Sequence, residues 1–432
     1  MKVRLRYGRS GLDVVVPDEC EVSVFRTGEM PVLIDPLAAV REAIENPISS
    51  RPLSELTSGR RTACVVVSDI TRPVPNTVLL PPILSALESE GISSKNIRIL
   101  VATGIHRAST REELVEMLGE DILSRYPIVI HNSRNPSEIE RLGYTLRGTP
   151  IDINRLYVES ELKMVTGLVE PHFMAGFSGG RKSVAVGLTS VDAIKHLHGP
   201  DLLEHPQARN CALSGNPLHE ELTEMAMRTG VDFCVNVVLD SERRIGGIFC
   251  GDLIEAHKVA CDFASRYCVL KTDKSFEVVL TTAGGYPLDT TYYQAVKGLV
   301  GALDVVTPGG AIILAAECSH GLGSGEFRQV LCEFGGCGND YDEFLKHISR
   351  PDNFVIDQWE VEMLVKALKR NKVYVFSAGI SQEDWPLTYA QRVEFAEEGV
   401  SLAITNARKP HRIAVIPEGP YIIPMVQSRE TH

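Results

Sequence analysis

Four runs of apolar residues in this chain each end in a short polar cluster. Val65-Val66-Val67 leads into Ser68-Asp69-Ile70-Thr71-Arg72-Pro73, and Ile99-Leu100-Val101-Ala102 into Thr103-Gly104-Ile105-His106-Arg107. Val165 to Val169 leads into Glu170-Pro171-His172, and Val279-Leu280-Thr281-Thr282 into Ala283-Gly284-Gly285-Tyr286-Pro287. If the runs are strands of an open α/β sheet, ligands gather beyond their carboxyl ends. Three of those ends then deliver Asp69, Arg72, His106, Arg107 and His172 to one rim. A guanidinium grips a carboxylate with two parallel hydrogen bonds and fixes its orientation. Two imidazoles exchange protons with a substrate near neutral pH. One base on each face of a carbon that bears a hydroxyl would support inversion of a stereocentre. A histidine taken alone is more often a capped or surface residue than a catalyst; two at separate strand ends with arginine beside them make the two readings about even.

Gly176 to Ser183 has the length of a phosphate-binding P-loop, but Arg181 stands where its second glycine belongs. Gly179-Gly180-Arg181-Lys182-Ser183 could still hold an anion through backbone N–H groups at a helix start. It reads equally as a glycine-rich turn with solvated cations. Gly321-Leu322-Gly323-Ser324-Gly325-Glu326 misses the dinucleotide fingerprint because Glu326 replaces the third glycine, and a carboxylate there repels pyrophosphate. His196 and His198 would lie about 200° apart on a helix, so only one of them faces any given site. Tyr293, Gln294 and Lys297 share a helix face at i, i+3 and i+4 spacing, a pattern that surface packing also produces. Trp359, one of two tryptophans, follows Asp357-Gln358 at a helix start, where core or interdomain packing is the ordinary use of such a residue.

The elements that must position these residues follow from the hydrophobic pattern. A hairpin is expected over 2–16, strands at 62–68, 97–102 and 127–131, and helices at 76–90 and 111–118. Strands at 151–158, 164–169 and 233–239 alternate with helices at 190–198, 217–228 and 253–267. After the polar stretch Lys271-Thr272-Asp273-Lys274-Ser275 the rhythm restarts, with strands at 277–282, 311–316, 372–376, 412–416 and 421–423 and helices at 291–303, 326–334 and 357–369. This predicts an α/β protein of two α/β domains with mainly parallel sheets, residues 1–273 and 274–432.

Composition narrows the function classes. The chain has 432 residues, 44% hydrophobic and 23% charged, as an ordinary folded protein does. With 44 Lys plus Arg against 56 Asp plus Glu, the net charge of −12 argues against nucleic acid as a partner. The longest apolar runs, such as Ala311 to Ala316, fall far short of a bilayer span, and the N-terminus shows no signal-peptide pattern. The ten cysteines are scattered with no Cys-x-x-Cys pair, which excludes a zinc ribbon and reads as reduced cysteines in a cytoplasmic protein.

Taken in order along the chain, the motifs resemble the nickel-dependent lactate racemase family. The resemblance is carried by Ser68 to Pro73, Gly104 to Arg107, Glu170-Pro171-His172, Gly179 to Ser183 with His198, Gly284 to Pro287, Tyr293 to Gly298, Glu317-Cys318-Ser319 and Trp359. It implies a two-domain enzyme with its active site in the interdomain cleft. It also implies a nickel-pincer nucleotide, a pyridinium mononucleotide with thioamide and thiocarboxylate arms that binds nickel through two sulfurs and a ring carbon. By that resemblance Lys182 tethers the cofactor covalently through the thioamide, and His198 completes the nickel coordination, a soft donor set that suits Ni(II). Gly179, Gly180 and Ser183 accompany them as cofactor-binding residues. Asp69 belongs to the same set as an acidic, positioning neighbour of the arginine.

The resemblance further assigns His106 and His172 as the acid/base pair. Arg72, Gln294 and Lys297 hold the substrate carboxylate, and Tyr293 and Trp359 line the site. The implied reaction is racemisation or epimerisation at C2 of a 2-hydroxy carboxylate, lactate-like or larger, by proton-coupled hydride transfer. The implied partners are that substrate and the proteins that make and load the cofactor; a homo-oligomer is compatible with the family. Met174 stands where family members often carry an aromatic residue, so a flexible thioether there would admit a longer substituent. His320 stands where an acidic residue is expected. Two alternatives remain at this stage: a nicotinamide-dependent 2-hydroxy acid dehydrogenase, and a non-catalytic nickel-nucleotide binding protein.

Overall fold

The computed structural model describes residues 1–406 and 412–427. The chain divides into two compact α/β units. The first comprises residues 29–198 and 204–266, and the second residues 1–28, 199–203 and 267–432.

The first unit is built on a six-stranded sheet in the order Ile245–Gly251, Phe233–Leu239, Leu162–Leu168, Ala63–Ser68, Ile97–Ala102, Ile128–Ile130. Every neighbouring pair is parallel except Ile245–Gly251 with Phe233–Leu239. Val65, Val66 and Val67 have no exposed surface, which explains their unbroken apolar run: helices cover both faces of a parallel sheet. The chain moves outward from Ala63–Ser68 to Ile128–Ile130, then returns to the opposite flank of Ala63–Ser68 with Leu162–Leu168, where Val65 pairs with Met164. Strand order therefore reverses between these two strands. Connections leave such a switch point in opposite directions and open a crevice at the strands' carboxyl ends.

The second unit carries a wholly parallel six-stranded sheet in the order Gln391–Arg392, Lys372–Phe376, Val306–Ala315, Phe276–Thr282, Arg412–Ile416, Glu21–Val24. The hairpin Lys2–Leu5 with Leu12–Val15 and the core around Val278, Leu280, Ile313 and Val415 belong to it. Its helix Tyr292–Ala302 starts at a Thr291 cap that accepts from the Gln294 N–H, and it packs against the helix Gln358–Arg370.

The structure departs from expectation at definable places. Residues 1–28 fall in the second unit, not with the N-terminal domain expected over 1–273, because Glu21–Val24 pairs with Arg412–Ile416 across nearly the whole sequence. The polar stretch expected as a boundary is partly strand: Val269–Thr272 pairs with Ile423–Val426. The strand expected at 151–158 ends at Asn154, whose side chain caps a short helix, Arg155–Glu159. The strand Ile245–Gly251 was hidden by Gly246 and Gly247. At Gly246 a Cβ would lie 2.2 Å from Met30 Sδ, so packing excludes the side chain that would have signalled a strand. Among the described residues no helix is long and apolar enough to cross a membrane.

Candidate functional site

In the first unit Asp69 and Arg72 leave the end of Ala63–Ser68, and Glu170 and His172 follow Leu162–Leu168, the two strands that flank the switch point. His106 follows Ile97–Ala102 next door. Gly104 permits that approach: it sits at φ +55, and a Cβ there would come within 3.1 Å of the Val186 carbonyl.

The two histidines are held in opposite senses. His106 Nδ1 lies 2.7 Å from Asp69 Oδ2, so the ring donates its Nδ1–H to the carboxylate and presents the Nε2 lone pair outward. Asp69 is 5% exposed. Burial raises its proton affinity, but hydrogen bonds from His106 and Thr71 and the charge of Arg72 outweigh it and hold the carboxyl below the usual aspartate range. At His172 the backbone N–H groups of Met174 and Ala175 both donate to Nδ1, at 3.3 and 3.2 Å, so the ring proton sits on Nε2. The Phe173 ring stacks on this imidazole at 5.1 Å. Lys182 Nζ lies 2.7 Å from His172 Nε2.

Arg72 pairs with Glu170 at 3.0 Å, and Asp69 serves His106 first. Glu170 is therefore the ion-pair partner of Arg72, while Asp69 bonds His106 and acts on the arginine as a charged neighbour. The signal for Glu170 was the adjacent Pro171-His172, which drew attention to the histidine alone.

His198 ends the helix Val191–Leu197, and its Nδ1 lies 3.0 Å from the Ile194 carbonyl. Burial pushes its pKa down to about 4 against the opposing pull of that carbonyl, so the ring is neutral and Nε2 carries a lone pair. A neutral imidazole oriented by a backbone carbonyl on its other nitrogen is how metal-binding histidines are ordinarily fixed. His198 thus fits one nickel position, and Lys182 offers an amine for attachment. His196 is exposed on the same helix.

The glycine-rich stretch does different work from the anion cradle considered above. The Gly180 N–H donates to Asn236 Oδ1 at 3.0 Å, and Ser183 Oγ donates to the Thr166 carbonyl at 3.0 Å. At Gly179 a Cβ would lie 2.7 Å from Val169, and at Gly180 2.8 Å from His257. These residues are spent on packing the turn against the sheet. Arg181, expected as an anion-holding or solvated cation, is instead the turn's buried strut. At 1% exposure it donates to the Ala175 and Phe177 carbonyls and to His257. Burial lowers its pKa to about 10, which leaves it charged at neutral pH.

The remaining candidates belong to the second unit. Lys297 Nζ donates to Gln294 Oε1 at 2.5 Å, and Trp359 Nε1 donates to Tyr293 Oη at 3.2 Å, so all four residues gather on the packed helices Tyr292–Ala302 and Gln358–Arg370. Glu360, unremarked in the sequence, is 1% exposed beside them; burial raises its proton affinity, and Lys297 opposes that. Ser324 caps the helix Gly325–Gly336 and bonds Asp357, so this glycine-rich stretch begins a helix with acidic residues around it, as its sequence implied. Met174 is 1% exposed. His320 is exposed, its N–H donating to the Thr290 carbonyl.

Comparison with known proteins gives consistent matches. The family model for the lactate racemase N-terminal domain matches residues 7–210, and that for the lactate racemase C-terminal domain matches residues 271–423. The chain is 34% identical over 424 residues to a lactate racemase of Thermoanaerobacterium thermosaccharolyticum, covering 98% of each. It is 36% identical over 382 residues to a lactate racemase of Lactiplantibacillus plantarum, covering 88% of this chain and 89% of that one. The solved lactate racemase apoprotein of T. thermosaccharolyticum superposes with a TM-score of 0.90 over 99% of this chain and all of that one, at 33% identity.

Proposed function

Because the chain belongs to the lactate racemase family, we propose that it inverts C2 of a 2-hydroxy carboxylate, lactate or a larger relative, using a nickel-pincer nucleotide tethered to Lys182 and bound to the metal side by His198. The observation that carries this reading is the pair of imidazoles that follow the two strands flanking Ala63–Ser68, with opposite ring nitrogens protonated, one of them 2.7 Å from the lysine. A carrier of the cofactor would need neither.

The C2–H of a hydroxy acid is a poor acid, so simple proton abstraction is hard, and loss of that hydrogen as hydride while the hydroxyl loses its proton avoids it. When bound, the nickel nucleotide supplies a reversible hydride acceptor. The chain's own residues do the rest. His106 takes the hydroxyl proton at Nε2, and Asp69 stabilises the imidazolium that forms by keeping its charge on the Nδ1–H side. His172, whose ring proton sits on Nε2, serves the opposite face as the group that gives a proton back to the oxygen. Arg72, oriented by Glu170, binds the carboxylate through its planar fork, and Gln294 and Lys297, bonded to each other, keep the carboxylate-binding role that the family resemblance gives them. Tyr293 and Trp359, bonded to each other, supply apolar wall. Fixing the carboxylate throughout would keep the substrate from escaping while its C2 is changed.

The test is a panel of enantiopure 2-hydroxy acids offered to cofactor-loaded protein without nicotinamide, resolved by chiral chromatography. The reading expects each accepted acid to approach a mixture of C2 epimers with no accumulating 2-oxo acid. Stoichiometric 2-oxo acid, appearing only with added nicotinamide, would establish the dehydrogenase alternative instead. Nickel binding without turnover on any acid would establish the carrier.

A further inference from the structure

We propose that Glu360 is the counter-charge of Lys297 in the empty protein, and that it takes up a proton when a 2-hydroxy carboxylate binds to that lysine. The inference rests on the reading above, in which Lys297 holds the substrate's carboxylate. It adds one positioning residue to that site and one proton to the binding equilibrium.

Glu360 is an ionisable residue in an apolar place. It lies in the first turn of the helix Gln358–Arg370, where Val361, Met363, Leu364 and Val365 are buried with it. It is 1% exposed, and its Oε1 is wholly covered without a hydrogen-bond partner among the described residues. A carboxylate so placed is costly unless a cation compensates it. The neighbouring helix Tyr292–Ala302 supplies one. Trp359, the residue before Glu360, donates to Tyr293 Oη at 3.2 Å, and Lys297 stands one turn beyond Tyr293.

The charges around this carboxyl define its partner. Electrostatic interactions join Glu360 to both Tyr293 and Lys297, so it lies against the turn that those two residues share. Asp357, which starts Glu360's own helix and bonds Ser324, is the opposing negative charge. The helices Gly325–Gly336 and Tyr341–Ile348 also pack on Gln358–Arg370, and charged groups there have partners of their own. Glu333 meets His347, Lys346 meets Glu343, and Arg328 meets Asp384. Lys297 is therefore the cation that bears on Glu360.

One ammonium cannot compensate two covered carboxylates. A substrate carboxylate that reaches Lys297 sets a second negative charge beside the first, and two like charges in such a place do not both stay ionised. The group with the higher proton affinity yields. Burial raises that of Glu360, whereas the hydroxyl beside the substrate's carboxyl makes its acid the stronger one. A proton from the medium therefore forms an O–H bond on Glu360, nothing is oxidised or reduced, and the ammonium passes to the substrate. The sign of the pH dependence follows. In acid Glu360 already holds its proton and binding needs no other. In alkali it is ionised in the empty protein, so binding must draw a proton from an increasingly dilute supply and weakens as pH rises.

The test uses cofactor-loaded protein and the 2-hydroxy acid that the panel above shows to be turned over fastest. In the wild type KM should rise between about pH 6 and about pH 9, approaching 10-fold per pH unit at the alkaline end. Titration calorimetry with the racemate, which undergoes no net reaction, in buffers of different ionisation enthalpy should show uptake climbing from near zero toward about one proton per substrate bound. Glu360→Gln, neutral throughout, should flatten the rise in KM and abolish that uptake. A merely structural loss would raise KM at every pH and leave its slope. Infrared difference spectra of wild type carrying 13C-labelled glutamate need no variant: the racemate should bring up the band of a protonated glutamate carboxyl. Absence of that band, or a slope and an uptake equal in wild type and a folded Glu360→Gln, overturns the proposal. Lys297→Met separates the two claims. A raised KM in that variant beside a wild type without proton uptake refutes this inference alone, whereas an unchanged KM refutes the role of Lys297 on which it stands. A panel with no accepted acid removes both.

Discussion

Asp69 Oδ2 and His106 Nδ1, 37 residues apart in sequence, meet at 2.7 Å across two neighbouring parallel strands. The carboxylate side chain is 6% exposed and the imidazole 53%, so the fixed charge is inside and the ring it orients faces out. This division lets a buried anion choose the tautomer of an accessible base. Asp69 stays ionised at neutral pH because the hydrogen bonds it accepts and the nearby arginine outweigh the cost of burial.

Asp69→Asn should therefore damage catalysis far more than binding. An amide can offer its own N–H to Nδ1, which would turn the ring proton to Nε2 and blunt the base. The expected loss in kcat is about 10²- to 10⁴-fold with KM changed little. Initial rates of the loaded variant check it, and retention of more than half the wild-type kcat would remove the role.

Arg72→Lys should separate charge from geometry. A lysine keeps the positive charge but not the planar fork, and it pairs less well with Glu170. KM for the hydroxy acid should rise about 10-fold or more. An unchanged KM would mean that Arg72 does not hold the substrate.

Arg181→Met tests the strut under the lysine-bearing turn. Removing the guanidinium takes this donor from the buried Phe177 carbonyl and leaves the Ala175 carbonyl with only the Phe177 N–H. The cost should be about 2–4 kcal/mol, read as a lower urea midpoint at unchanged slope. A midpoint within error of wild type would show that the loop does not depend on this residue.

Stability should fall as the medium turns mildly acidic. Burial holds His131, His219 and His257 below the ordinary histidine value, His219 at about 3. In the unfolded chain these rings take up protons near pH 6.5, which the folded chain resists. Their contribution is complete above that pH and is lost as pH falls toward the folded values. The depressed carboxyls of Asp69, Asp152 and Glu277 add a loss only at about pH 4 and below. The unloaded protein's Tm should drop on the order of 5 °C from pH 7 to 5, and His219→Gln should flatten that slope. A Tm that rises over this interval contradicts the assignment.

Much of this protein is written in local sequence. The unbroken run Val65-Val66-Val67 could only be a strand covered on both faces, and the polar residues behind each such run had to emerge at the sheet's carboxyl edge. Asp69, His106 and His172 were legible for that reason. Partnership was not. That Asp69 serves His106 while Glu170 serves Arg72 depends on where the chain returns to the sheet. The strand Ile245–Gly251 was masked by Gly246 and Gly247, and the Met30 side chain occupies the place of a Cβ at the first of them. Residues 1–28 joined the second unit through a parallel pairing that closes nearly four hundred residues away. Periodicity records which face of an element is apolar, because burial acts on each residue separately. Hydrogen-bond partners and strand neighbours are set by contacts between distant segments, which no local pattern contains.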